Sequence, residues 1–262
     1  MPEPGRLVTG DNLPWLRSQP HSSADLILTD PPFGTGRARR VGTAAGGPEF
    51  ADRWEDIAAY LEFLVPRLQA MHRLLKPDGS LVVHLDQRAL HDVKLELDGI
   101  FGRRRLVNEI IWHYTGGGRA KRYFSRKHDT LLWYAKGSQW TFNVDAVRQP
   151  YAPTSGYARG GIVSRAGKHY GPHPAGTPRD DVWDIPIVNP LSPERCGYPT
   201  QKPLRLIEPL VLALSRPGDL VVDPFCGSGT TLVAAARHGR RWLGCDIAPA
   251  AIAIAKRRLD AC

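Results

Sequence analysis

Cysteine is scarce in this chain: Cys196, Cys226, Cys245 and Cys262 are the only four in 262 residues, with no CxxC and no neighbouring His pair. That spacing excludes the usual zinc arrangements, so reduced thiols and no metal are expected. No apolar run approaches the roughly 20 residues that cross a bilayer. The N-terminal MPEPGRLVTG lacks the charged-then-apolar pattern of a secretory signal. A cytoplasmic protein with no membrane partner is therefore expected. Compositional extremes are missing too, since 42% hydrophobic and 23% charged residues exclude a fibrous or wholly disordered chain. The length suits one large domain, or one domain with an insertion, and is ample for a full core.

What the chain does have is positive charge, 35 Lys and Arg against 26 Asp and Glu. Residues 101–170 carry 13 basic and 3 acidic side chains, and the remainder carries 22 and 23. The whole excess lies in one central block, which favours a polyanionic partner.

Ala24 to Thr29 (ADLILT) and Asp219 to Val222 (DLVV) are continuous apolar runs that each stop at an aspartate, as strands buried on both faces do. Gly79 to Leu85 and Arg241 to Cys245 are similar, with helical patterns at Ile57 to Leu75, Leu204 to Leu214 and Thr230 to His238. This alternation predicts an α/β fold with a mostly parallel sheet. Leu106 to Tyr114 and Thr130 to Tyr134 predict strands joined by the basic loop GGGRAKRYFSRK. Residues 137–200 are rich in Gly, Pro, Tyr and Arg and predict an irregular subdomain, and residues 34–50 a second loop segment.

The sharpest motif is VVDPFCGSGTT at 221–231, a buried strand ending in Asp223 before a glycine loop and a helix. Gly227 and Gly229 let the backbone approach a nucleotide-like ligand, and Asp246 ends the next strand where an acid accepts hydrogen bonds from ribose hydroxyls. An ordinary strand-to-helix turn with Asp246 as a helix cap is the plainer alternative. No GK[ST] follows and the spacing is not GxGxxG, which disfavours a phosphate loop or a dinucleotide fold. The second motif is TDPPFGTG at 29–36. Its prolines stiffen the turn and fix Asp30, the Pro31 carbonyl and the Phe33 ring relative to one another. A carboxylate and a carbonyl so held can grip both hydrogens of an exocyclic amine while an aromatic face stacks on its ring. A rigid turn with Phe33 in the core is the alternative.

The order of these segments resembles the S-adenosylmethionine-dependent amino-methyltransferases of DNA in their permuted, β-class arrangement. DPPF stands at 30–33, a basic irregular region follows, YPTQKP at 198–203 resembles the family's HPTQKP, and DPFCGSGTT closes the set at 223–231. The resemblance implies a Rossmann-like methyltransferase fold with circularly permuted motif order. Residues 1–136 would form the catalytic half, 137–197 an inserted target-recognition region and 198–262 the cofactor-binding half. Asp30, Pro31, Pro32 and Phe33 would be catalytic, with Phe33 where the family more often has Tyr. Asp223, Phe225, Gly227, Gly229 and Thr230 would line the S-adenosyl-L-methionine site. Asp246 would hold the ribose, and Thr200 and Lys202 would sit near the methionine end. Asp11, in GDNL, would contact the adenine of the cofactor or serve as a helix N-cap.

Double-stranded DNA is the implied partner, and a homodimer and a cognate restriction endonuclease are compatible with the family. Phosphate contacts are expected among Arg119, Lys121, Arg122, Arg126 and Lys127, with Arg159, Arg165, Lys168 and Arg179 as further candidates. The 34–50 segment is expected to close over an extruded base. Asp at the head of DPPF favours adenine N6 as the target, since cytosine-N4 enzymes of the class more often begin with Ser. Cytosine N4, RNA, a small-molecule substrate, or a relative that binds nucleic acid without catalysis are the alternatives.

Overall fold

The computed structural model of the chain describes residues 5–33, 37–40, 49–52, 54–116 and 119–262. Strand β1 (Gly5–Thr9) leads to helix α1 (Asn12–Ser18), whose N-cap Asp11 accepts a hydrogen bond from Leu13 N at 2.9 Å. Strand β2 (Ala24–Thr29) follows. The expected 34–50 loop lies partly outside the described residues, and its described flanks pair as an antiparallel ribbon, β3 (Arg37–Arg40) with β4 (Glu49–Asp52). Helix α2 (Ile57–Leu74), capped by Asp56 onto Ala59 N, runs into β5 (Leu75–Leu85). Helix α3 (Leu90–Phe101) precedes the hairpin of β6 (Leu106–His113) and β7 (His128–Ala135).

The stretch read as irregular contains helix α4 (Gly156–Gly160), the ribbon β8 (Ile162–Val163) with β9 (His169–Tyr170), and β10 (Val182–Asp184). Helix α5 (Leu204–Leu214), β11 (Leu220–Asp223), α6 (Thr230–Arg237), β12 (Arg241–Asp246) and α7 (Pro249–Asp260) complete the chain.

Eight strands form one sheet in the order β1-β12-β11-β2-β5-β7-β6-β10. β7 runs antiparallel to both its neighbours, and every other pairing in this sheet is parallel. β10 is a departure from the expected self-contained insertion, because it pairs with β6 and sends Trp183 and nearby Ile185 into the core. Alternation along β2 shows how the layers are filled. Ile27 points to the face covered by α2 and α3, with Leu64, Met71 and Leu97, while Leu26 and Leu28 point to the face covered by α5 and α6, with Leu206, Leu210 and Val233. Among the described residues no helix is long and apolar enough to cross a membrane.

Candidate active site

β11 and β2 are neighbours in the sheet, so their carboxyl ends bring Asp223 and Asp30 to one edge. A cavity of about 690 Å³ opens there, and both DPPF and the glycine loop contribute to its wall. A crevice outside the carboxyl ends of parallel strands is where α/β sheets bind ligands.

Asp30 is held from two sides. Its Oδ1 lies 2.8 Å from His84 Nδ1, and its Oδ2 forms an ion pair with Lys202 Nζ. His84 sits near the end of β5 and is only 2% exposed, with Nε2 3.3 Å from Asp129 Oδ2 in an ion pair that is not aligned as a hydrogen bond. Burial pushes the Asp30 carboxyl up, but Lys202 and His84 outweigh it and hold it at about 2. Burial and Lys202 push the His84 imidazole down, but Asp30 and Asp129 raise it above the ordinary histidine value. An ion-paired chain of Asp129, His84, Asp30 and Lys202 results. The Phe33 ring meets the His84 ring edge-on at 5.1 Å, and Lys202 Nζ lies 5.2 Å from its centroid. Pro31 and Pro32 also line the cavity.

The glycine loop is shaped by what surrounds it. Gly227 has φ 49°, and a Cβ there would meet the buried Tyr198 ring at 3.1 Å. Gly229 has φ 76° and faces away from the cavity, since its Cβ would come within 2.8 Å of the Ala255 Cβ on α7. Its small size lets that helix approach, whereas the expectation had it lining the cofactor. Asp246 joins the loop to the following helix: Oδ2 accepts from Gly227 N and Oδ1 from Ala248 N, both at 2.9 Å. Asp223 is 3% exposed, accepts from Phe225 N at 3.1 Å, and is pushed by burial up to about 7. Thr230 lies on the wall with its hydroxyl donating to Lys202 O at 3.2 Å, and Thr200 and Phe225 lie there too.

Asp11 is both an N-cap and a wall residue, paired with Arg67 at 2.8 Å. Arg67 Nε also donates to Asn12 Oδ1 at 2.6 Å, and Asn12 Nδ2 donates to Pro224 O at 2.6 Å, which ties the GDNL turn to the DPF turn. The Arg67 guanidinium lies 3.6 Å over the Phe63 ring, itself 6.1 Å from Phe225.

The family model for DNA methylases of the N6/N4 type matches residues 24–257. The chain belongs to this DNA methylase family. It is 32% identical to the type II methyltransferase M.HpaI of Haemophilus parainfluenzae over 97% of the chain and 74% of that protein. It is 31% identical to the DNA adenine methyltransferase YhdJ of Escherichia coli K12 over 97% of the chain and 82% of that protein. Its fold matches the PvuII cytosine-N4-specific DNA methyltransferase with a TM-score of 0.71 at 20% identity, covering 97% of the chain and 86% of that one. It matches M1.HpyAVI, solved as a complex with S-adenosyl-L-methionine (SAM), with a TM-score of 0.64 at 20% identity, covering 98% and 99%.

In this DNA methylase the basic residues are divided. Arg119, Lys121, Arg122 and Arg126 are exposed on the β6–β7 loop, with Lys127 half-buried at its end. Arg159, Arg165 and Lys168 are exposed around α4 and the β8–β9 ribbon. Arg179 is drawn inward, its guanidinium 4.6 Å over the Trp183 ring beside a second cavity of about 310 Å³. His84, Asp129, Asn12 and Arg67 are site residues that motif reading passes over. His84 stands inside an apolar run and Arg67 on the buried face of α2, and only a polar group in an otherwise apolar pattern marks either.

Proposed function

We propose that the chain is a site-specific DNA methyltransferase that moves a methyl group from S-adenosyl-L-methionine to the exocyclic N6 amine of an extruded adenine. The observation that carries this reading is the Asp30 carboxylate, fixed by His84 and Lys202 on the wall of the cavity that the glycine loop also lines.

The residues fit the cofactor. Phe225 and Phe63 offer aromatic surface, Asp246 a carboxylate for ribose hydroxyls, and the bare Gly227 backbone beside Tyr198 a cradle that any Cβ would fill. Asp11 and Thr200 complete the holding set. Bound there, the cofactor supplies a sulfonium-activated methyl group.

Asp30 and the Pro31 carbonyl accept the two amine hydrogens and stabilise positive charge as it develops on nitrogen. With its carboxyl held at about 2, Asp30 is a weak base, so its work is electrostatic; the proton that the methylated nitrogen must lose passes to solvent, and the demethylated cofactor departs as the neutral thioether. Both Asp30 oxygens already have partners, and each retains a second lone pair for the amine. Phe33 stacks on the base. Cys226 is buried in the glycine loop and its thiol is raised well above the ordinary value by burial, which disfavours a covalent cytosine-C5 route. The exposed basic loop holds DNA phosphates, and the enzyme works in the cytoplasm.

Adenine is favoured by Asp at the head of DPPF and by the similarity to YhdJ. Purified protein is incubated with unmethylated DNA and methyl-labelled cofactor, the DNA is digested, and the nucleosides are identified by mass spectrometry. N6-methyladenine is the expected product. N4-methylcytosine would overturn the base assignment, and no transfer would overturn the enzyme.

A further inference from the structure

Phe124 is 98% exposed, the most exposed large apolar side chain among the described residues and a full aromatic ring left in water. It lies on the β6–β7 loop, four residues before β7, where Arg119, Lys121, Arg122, Arg126 and Lys127 surround it in sequence and residues 114–127 include no acid. The adjacent Tyr123 is engaged, with the Arg126 guanidinium 5.2 Å from its ring. The loop neck is closed by Tyr114 N donating to Lys127 O at 2.9 Å. Asp129, two residues past the neck, accepts from the Tyr114 hydroxyl at 3.2 Å and pairs with His84, which pairs with Asp30. The loop therefore rises from the same sheet edge as the carboxylate.

We propose that Phe124 is a wedge that enters the duplex and fills the gap left when the target base swings toward Asp30. This rests on the reading of the chain as a base-extruding DNA methyltransferase. A cationic loop with an exposed aromatic ring suits a polyanion whose interior is a stack of flat rings. The charges settle on phosphates on either side of the step, and the ring stacks between bases that have lost a neighbour. Extrusion is uphill because stacking and pairing are lost, and a ring that replaces the departed base restores part of the stacking.

The test uses two duplexes containing the methylation site mapped on treated DNA, one with 2-aminopurine in place of the target base for fluorescence and one with the target base itself for single-turnover rates, and full-length wild type, Phe124→Ala and Phe124→Trp. Wild type is expected to raise 2-aminopurine fluorescence severalfold on binding. Phe124→Ala should lose most of that rise and at least tenfold in single-turnover rate while its DNA affinity stays within threefold, and Phe124→Trp should restore both. A mismatch opposite the target, which makes extrusion easier, should bring Phe124→Ala back to within threefold of wild type. A wild-type fluorescence rise and rate in Phe124→Ala would overturn the wedge and leave the enzyme reading standing. An absence of methyl product from wild type would overturn both. Because the side chain is exposed, the variants should keep the wild-type thermal midpoint.

Discussion

His84 Nδ1 lies 2.8 Å from Asp30 Oδ1, and the imidazole that makes this contact is buried between two carboxylates. Its folded pKa is raised above the unfolded value, so the stability it contributes is fully present below about 6.5 and is lost as pH rises through the raised folded value. His84→Asn is expected to flatten the alkaline fall of the thermal midpoint. It should also slow transfer by about 100-fold through a loosened Asp30, with cofactor affinity unchanged. Thermal scans across pH, paired with kcat and cofactor titration, check this, and an unaltered alkaline limb would remove His84 from the ion-paired chain.

Asp30→Asn keeps the shape of the side chain and removes its charge. Transfer should fall by roughly 100- to 1000-fold, the range for removal of one preorganised electrostatic partner. Cofactor binding, measured by calorimetry, should stay within threefold. In wild type, with this carboxyl at about 2, the rate should show no acid limb from Asp30 at pH 5 and above.

Asp223 shifts the other way, from 3.8 to about 7. Its protonated form is favoured in the folded state, so stability from this group is highest below 3.8, declines as pH rises toward 7 and is flat beyond. Asp223→Asn should remove that decline and, above pH 7, be more stable than wild type by up to roughly 4 kcal/mol. Urea unfolding of the cofactor-free protein at pH 5 and pH 8 measures it.

Replacing Arg119, Lys121, Arg122, Arg126 and Lys127 by Ala should weaken DNA binding most at low salt. For every phosphate that is no longer neutralised, the slope of log affinity against log salt should shrink by about 0.9. Fluorescence anisotropy over a salt series reads the slope, and an unchanged slope would move the DNA surface off this loop.

Much of the sheet is legible from residues alone, for a physical reason: β2 and β11 are buried on both faces, and continuous apolar runs such as ADLILT say so. α5 is legible to its end residues because its apolar stripe is strong. α3 carries Leu90, Val93, Leu97 and Phe101 at helical spacing, so its signal is present although no motif draws attention to it. β10 has only three residues, too few for any period, and exists because β6 offers it a ladder. The site divides in the same way. DPPF and the glycine loop are local and can be read, while the pairing of His84 with Asp129 depends on β7 lying antiparallel beside β5, a register that places His84 opposite Leu131. Lys202 is found by its motif, but its partnership with Asp30 spans 172 residues and is fixed only by the fold.

The sheet order also has a meaning in time. Once made, β2 soon gains β5 on one side, but its other neighbour, β11, begins only at Leu220. Asp25, whose Oδ2 accepts from Leu220 N, waits 195 residues for that partner, an interval of about 10 to 40 s at ordinary synthesis rates. Throughout it one edge of the strand that leads into Asp30 has its backbone groups unpaired, and the cavity closes only when the segment from Tyr198 to Ala248 arrives.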